Sequence, residues 1–259
     1  MYIILQNDAL EEEEFIIEKL IKQSRYTVDY IKASLKDINS INLKEGYIPI
    51  GTIEFVTKIL TKIYPDFKRE QPIEIPTYLQ TDEFLKRIYK VGTWEDIPKS
   101  GRWFIKDASE LKYFSILTNM DFFYNEELFD YKPRNEIDST LILHKSHDYI
   151  ISSPFDIKSE YRVYVLDGKV ENIALYNGDA TVLPDVKLIQ KAVNLINYNE
   201  KYLKSYSLDI MVGDKGTAIV EIHNFTSLGL YSTLWGTDLL YAYRDGIDYL
   251  INDNGVKYK

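Results

Sequence analysis

The feature that most constrains the fold is the stretch SLDIMVGDKGTAIVEIHNF, which covers residues 207 to 225. Apolar residues alternate with other residues on both sides of a central GDKG, as they do in two antiparallel strands that each bury one face. A three-residue loop, Asp214-Lys215-Gly216 with glycine in the left-handed conformation, is a common closure for such a hairpin. The register that this loop sets places Asp209 opposite Glu221.

The two opposed acids raise a question of charge. Opposed residues on a hairpin face lie about 5 Å apart, and like charges at that distance are destabilising unless a cation lies between them. Mg²⁺ is typically held by one or two carboxylates with water and phosphate oxygens, so Asp209, Glu221 and Asn224 form a candidate ligand set. The alternative is that the carboxylates face solvent near lysines. If they bind a metal, replacing one acid should hold or raise the stability of the metal-free protein, since a clash is relieved.

A buried-looking strand ends in a lysine in the segment RWFIKDASELK, residues 102 to 112. Lys106 directly follows the apolar run, and Lys112 comes six residues later. A lysine at the edge of a buried strand can present its ammonium group to a phosphate as a point charge. Both side chains could instead extend into solvent, which is the commoner placement of lysine.

A further charged pair, Glu160 and Arg162, lies in the segment SEYRVYV and shares one face of a predicted strand. The Asp167-Gly168 turn that follows predicts a hairpin in which Arg162 lies opposite Ile173. A guanidinium among apolar neighbours needs a partner, and its fork fits a phosphate or a carboxylate. An ordinary ion pair with Glu160 at the surface is the alternative.

Composition excludes several classes of protein. The absence of cysteine excludes disulfides and thiolate metal sites. A net charge of -9 argues against general nucleic-acid binding, which needs a basic face. There is no apolar run of the roughly 18 residues that a membrane span requires. The histidines lack the spacing of a zinc site, so His144 and His147 are expected to be surface or structural residues.

The order of predicted elements indicates an α+β fold in two parts, because strands alternate with helices early in the chain and hairpins dominate later. The segment REQPIEIPTYLQ contains two prolines and no helical period, which is typical of a connector. We therefore place an α/β N-terminal domain at residues 1–82 and a second domain at residues 83–259. The segment TDEFLKRIYKVG is predicted to be a short helix.

Taken together, the segments WFIKD, EYRVYVLDGKV with LYNGD, and SLDIMVGDKGTAIVEIHNFTSLGLY resemble, in that order, the ATP-grasp superfamily. The tail SLGLY, with YIPIGTIEFV upstream, is most similar to a bacterial and phage ATP-grasp group named for two arginines and a lysine. The family's common metal motif places asparagine two residues after the glutamate. This chain has His223 there and Asn224 next, so either residue could be the third ligand.

The resemblance implies a fold and a reaction. ATP would lie between two α+β lobes, with ATP and Mg²⁺ as cofactors, and residues 1–82 would be a pre-ATP-grasp domain. The implied reaction is phosphorylation of a carboxylate and displacement of the phosphate by an amine or a thiol, on an amino acid, peptide or protein. The implied catalytic residues are Lys106 and Arg162. Further implied nucleotide ligands are Lys112, Ile151, Ser152, Ser153, Glu160 and Tyr176, and the implied metal ligands are Asp209, Glu221, His223 and Asn224.

Two functions from different classes remain open, namely an ATP-dependent carboxylate–amine ligase and a catalytically silent nucleotide-binding or interaction protein with the same fold. The joint presence of the two basic residues and the two acids favours the ligase, and His223 at a metal position favours the silent protein. We expect a cytoplasmic protein, in the host cytoplasm if it is a phage protein. Its expected partners are ATP and an unidentified carboxylate and amine, with no general binding of nucleic acid or membrane. The sequence predicts no oligomeric state.

Overall fold

The structure is a computed structural model, and it describes residues 1–9, 11–25, 27–68, 75–108, 115–120, 147–232 and 236–253, without the side chains of residues 11 and 118. Lys112 and His144, both considered above, lie outside the described residues. Within the described part, helices and three sheets combine into an α+β fold, so the predicted class is confirmed.

The first sheet is parallel and has the strand order β2-β1-β3. Its strands are nearly continuous apolar runs, as expected where helices cover a parallel sheet. The second helix begins after Thr52, whose hydroxyl accepts a hydrogen bond from the Phe55 amide. The elements are β1 (Tyr2–Gln6), α1 (Glu11–Gln23), β2 (Asp29–Ala33), β3 (Tyr47–Ile50) and α2 (Ile53–Ile63).

The second sheet is antiparallel and has the order β4-β7-β5-β6. It follows a 3-10 turn at Thr77–Leu79 and a single helical turn, α3 (Asp82–Leu85). The predicted longer helix here is wrong, because Lys86 adopts a left-handed conformation that ends the helix, and the chain then extends into a strand. The strands are β4 (Tyr89–Gly92), β5 (Arg102–Asp107), β6 (Ser115–Asn119) and β7 (Tyr149–Ser152).

The third sheet is antiparallel with the order β11-β10-β8-β9. One face packs against a helix through a core that includes Val193, Ile196, Leu208 and Ile210. Polar residues of the central strands therefore lie on the opposite face. The elements are β8 (Ile157–Leu166), β9 (Lys169–Gly178), α4 (Val186–Asn199), β10 (Tyr206–Gly213), β11 (Gly216–Asn224) and α5 (Asp238–Asp253).

The β10–β11 hairpin closes differently from the prediction but brings the same acids together. Its loop has two residues, Asp214 and Lys215, and the predicted three-residue loop is wrong. A bulge in β11 leaves Val220 without a partner and shifts the register by one residue. Asp209 consequently still lies opposite Glu221, as predicted.

The β8–β9 hairpin turns at Asp167-Gly168 as predicted, and both turn residues have positive φ angles, as a two-residue hairpin turn requires. An irregularity further along the pair shifts the register by one residue. Arg162 therefore lies opposite Ala174, and the predicted pairing with Ile173 is wrong.

The C-terminal helix α5 packs against the N-terminal sheet, because Leu240, Tyr243 and Ile247 share one core with Leu5 and Ile50. The predicted domain boundary near residue 82 stays a prediction. Among the described helices, none has both the length and the apolar run needed to cross a bilayer.

Candidate functional site

A cleft of about 270 Å³ lies between the two antiparallel sheets, and the connection from β7 to β8 forms one of its walls. Alternate residues of each strand face it, since side chains alternate across a sheet. The second sheet contributes Tyr89, Val91, Phe104, Lys106, Leu117, Ile150 and Ser152. The third sheet contributes Ile157, Glu160, Met211, Val220 and Glu221.

The acid Asp209 is buried against Arg162 on the neighbouring strand. Arg162 Nε donates to Oδ1 of Asp209 and Nη2 donates to Oδ2, each at 2.7 Å, in a two-point pair. Strands β8 and β10 place these two residues directly opposite each other. Both side chains are almost completely buried, so the guanidinium fork is committed to a carboxylate and holds it in one orientation.

The second acid, Glu221, lies between two basic groups. Lys106 Nζ donates to Oε2 at 2.8 Å across the cleft, and His223 Nε2 lies 2.7 Å from Oε1. Burial alone would raise the pKa of the Glu221 carboxyl. The hydrogen bonds and charges of His223 and Lys106 outweigh burial and hold this pKa well below its ordinary value.

These contacts correct the expected effect of relieving a clash between the acids. The cations that neutralise Asp209 and Glu221 are side chains of the protein itself, namely Arg162, Lys106 and His223. Removing an acid from the metal-free protein therefore leaves a partly or fully buried cation unpaired. The expectation of held or raised stability is wrong, and a loss is expected.

One ligand atom from each of Asp209, Glu221 and His223 lies within 4.8 Å of the others, close enough to hold one metal ion. Two carboxylates with an imidazole suit a divalent cation. Asn224 lies opposite Tyr206 on the other face of the strand, and its Oδ1 accepts from the Thr226 hydroxyl at 2.9 Å. The structure thus brings His223, and not Asn224, to the two acids.

The segment after β11 folds back over Arg162. The Tyr164 hydroxyl donates to the Gly229 carbonyl at 2.7 Å and accepts from the Tyr231 amide at 2.9 Å. Burial raises the pKa of Tyr164 to about 12, so its hydroxyl keeps its proton. The rings of Tyr176 and Tyr231 stack 5.1 Å apart, and the guanidinium carbon of Arg162 lies 5.9 Å and 5.1 Å from their centroids. This packing fixes the arginine that holds Asp209.

Glu160 lines the cleft but does not pair with Arg162. The Asn177 amide donates to its Oε2 at 2.7 Å, and the Tyr176 hydroxyl reaches its Oε1 at 3.5 Å. The structure thus brings Glu160 and Tyr176 together at the mouth of the site.

The predicted backbone contact of Ile151 with a nucleotide base requires a correction. Ile151 lies inside β7 between Lys90 and Ile105, with strand partners on both sides, and its side chain is buried away from the cleft. Ser152 also pairs on both sides, but it lines the cleft together with Ser153. Any free backbone in this region therefore begins after the strand.

The comparison with protein families decides the assignment. Residues 84–235 match the model of the family R2K_2, an ATP-grasp domain of family 2 in its clade. This match covers more than half of the chain. The chain belongs to this ATP-grasp family. The sequence-based recognition of the superfamily is confirmed, and the clade label is compatible with a group named for two arginines and a lysine.

Solved structures share the ATP-grasp fold. N5-carboxyaminoimidazole synthetase from Staphylococcus aureus has a TM-score of 0.55 at 9% identity, over 95% of this chain and 77% of that chain. A RimK domain ATP-grasp protein from Sphaerobacter thermophilus has a TM-score of 0.52 at 10% identity, over 99% and 100%. D-alanine–D-alanine ligase from Bacillus anthracis, solved with ATP, has a TM-score of 0.46 at 12% identity, over 100% of both chains. At these identities the similarity shows the fold alone. No curated protein matches the chain at a significant level.

The expectation of ATP and Mg²⁺ as cofactors agrees with membership of an ATP-grasp family. The donor set of Asp209, Glu221 and His223 fits a divalent cation, and Lys106 shares Glu221 with it.

Sequence reasoning missed Arg87, which lies at the inner end of the ATP-grasp cleft. The residue falls in TDEFLKRIYKVG, where a helical interpretation gave it no distinct face. The left-handed Lys86 just before it redirects the chain, and a lysine gives no sequence signal for that conformation. His147, expected to be a surface or structural residue, places Nδ1 3.0 Å from Oδ2 of buried Asp107.

Protein stability should depend on pH through Glu221. A carboxyl whose pKa is lower in the folded than in the unfolded state adds stability above the unfolded value, about 4.5, and loses it as the pH falls through the folded value. Urea unfolding at pH 5, 4 and 3 should show a smaller loss of stability on acidification in Glu221→Gln than in the wild type. Glu83→Gln, which removes an exposed ion pair, should behave as the wild type. Equal losses in wild type and Glu221→Gln would contradict this assignment.

Proposed function

We propose that the protein is an ATP-dependent ligase that joins a carboxylate to an amine or thiol through an acyl phosphate. A carboxylate oxygen attacks the γ-phosphorus of ATP, the bond to the ADP oxygen breaks, and an acyl phosphate forms. The nucleophile then attacks the acyl carbon, orthophosphate leaves, and the nucleophile loses its proton. The observation that carries this proposal is the meeting of two base–acid pairs, Lys106 with Glu221 and Arg162 with Asp209, at one cleft of an ATP-grasp fold.

The Lys106–Glu221 pair supports a role in phosphate binding. Its two side chains come from different sheets and meet across the cleft, and both remain partly exposed to solvent. An entering phosphate can take over the ammonium group of Lys106, which frees an oxygen of Glu221 for a metal ion. Such an exchange of partners keeps each charge neutralised with and without nucleotide.

Arg162 has a different role in this proposal, because Asp209 occupies two of its nitrogens. It holds Asp209 toward Glu221, and the resemblance-based contact with phosphate is left to Nη1, which lies 3.4 Å from the Gly229 carbonyl. Asp209, Glu221 and His223 would hold the Mg²⁺ ion, with His223 in place of the expected asparagine. The chemistry that bound Mg²⁺ supplies is neutralisation of charge on the phosphate oxygens.

The opposite end of the cleft suits the nucleotide base. Its lining is largely apolar, and Pro154 and Phe155 follow β7 directly at its wall. We assign the backbone contact with the base to this short segment, because the preceding strand residues pair within the sheet. Glu160, beside Asn177 and Tyr176, is placed to accept hydrogen bonds from the ribose hydroxyls.

ADP release should depend on acceptor substrates. The wild type with Mg-ATP should release ADP when the correct carboxylate and amine are present in pools of amino acids and peptides. Lys106→Met should lower this rate by about 10²–10³-fold, because one charged donor to the transferring phosphate is lost. Lys90→Met is the matched control, since Lys90 is on the same sheet and pairs instead with exposed Asp96. Nucleotide binding with no ADP release from any pool would favour the catalytically silent protein.

A further inference from the structure

Arg87 is a buried cation fixed by neutral groups. Its Nε donates to the Ser152 hydroxyl at 3.1 Å, and its Nη1 donates to the carbonyls of Leu85 at 3.0 Å and Ile219 at 2.7 Å. These acceptors belong to α3, β7 and β11, so the guanidinium connects both walls of the cleft. The position of the group is therefore set by three separate elements.

No carboxylate of the described residues pairs with Arg87, in contrast to Lys106 and Arg162, which each contact an acid. Burial lowers the pKa of Arg87 to about 10, although the nearby Tyr89 acts in the opposite direction. Its Nη2 has no hydrogen-bond acceptor among the described residues, while the residue itself lines the cleft. A desolvated cation with a free donor is unfavourable unless a ligand supplies an acceptor.

The surroundings of this donor suit a planar base better than a phosphate. Tyr89, Phe104, Met211 and Val220 line the same cleft and offer no compensation for a desolvated phosphate. The fork of Arg87 is already occupied at Nε and Nη1, so the two-point grip that favours phosphate is lost. One row of residues, about 7 Å along the strands, separates Ser152 from the level of Lys106.

We propose that Arg87 determines specificity for the nucleotide base by donating a hydrogen bond from Nη2 to a ring nitrogen of the purine. The inference rests on the proposed binding of ATP in this cleft. Arginine has donors and no acceptor, so the base must present an acceptor here. The exocyclic amine of adenine, which is a donor, must therefore point elsewhere, toward the backbone after β7.

Binding of atomically altered bases tests this assignment. Calorimetric titration without acceptor substrates would compare ATP with its 1-deaza, 3-deaza and 7-deaza analogues, each of which replaces one ring nitrogen by carbon. For the wild type, one analogue should bind about 10- to 100-fold more weakly, as expected for a lost hydrogen bond from a charged donor. In Arg87→Met, ATP should bind with the affinity of that analogue, and the difference between the two should disappear.

Two further variants complete the test. Arg87→Lys keeps the charge but has only three donors for four acceptors, so it should also weaken ATP binding and reduce the discrimination, even if Arg87→Met fails to fold. Arg244→Met, on the exposed face of α5, should bind as the wild type. Discrimination that persists in either Arg87 variant, or equal binding of all analogues by the wild type, would overturn the inference. Absence of any nucleotide binding to the wild type would instead overturn the proposed function.

Discussion

Replacing Arg162 by methionine should destabilise the protein by about 3–5 kcal/mol, because it leaves the buried Asp209 without its two-point partner. Asp209 lies inside the third sheet, where neither water nor another described cation pairs with it. Urea unfolding at pH 7 of the wild type and of Arg162→Met would measure this loss directly.

Two variants distinguish this effect from a general loss of packing. The double variant Arg162→Met with Asp209→Leu should recover much of the stability, because it removes both charges together. Lys191→Met, which breaks the exposed pair with Glu83, should cost no more than about 1 kcal/mol. A loss of about 1 kcal/mol or less in Arg162→Met would contradict the buried-pair interpretation.

The central pairing in the site was predictable from sequence because two constraints acted on it. The alternation of apolar residues assigned Asp209 and Glu221 to one face, and their approximate register followed from the Gly-containing turn. The exact loop was not predictable, because the bulge at Val220 changes the register without a sequence mark. The predicted pairing of the acids held because the shorter loop and the bulge compensate each other.

The partners of those acids were less accessible to sequence reasoning. Lys106 and Arg162 were identified as candidates for phosphate binding, but their contacts with Glu221 and Asp209 depend on how two sheets meet. Local periodicity carries no information about such contacts between distant segments. The same limit hid Arg87, whose acceptors lie on three separate elements.

Replacing Glu221 by glutamine should remove Mg²⁺-dependent nucleotide binding. The substitution keeps the shape of the side chain but removes one of the two carboxylates near the proposed metal position. Mg²⁺ tolerates the loss of a carboxylate ligand poorly, so affinity for a metal–nucleotide complex should fall by about 100-fold or more. Lys106 also loses its charged partner, so the variant should be somewhat less stable without ligand.

The central claim, that the cleft between the antiparallel sheets binds nucleotide through a metal held at Glu221, is tested most directly by thermal melting. The wild type, Glu221→Gln and the surface control Glu83→Gln would each be melted with EDTA, with Mg²⁺, and with Mg²⁺ plus a non-hydrolysable ATP analogue. Ligand that binds only the folded state raises the melting temperature. We predict that Mg²⁺ and the analogue together raise it in the wild type and in Glu83→Gln but not in Glu221→Gln. The same rise in all three proteins, or no rise in the wild type, would contradict the account.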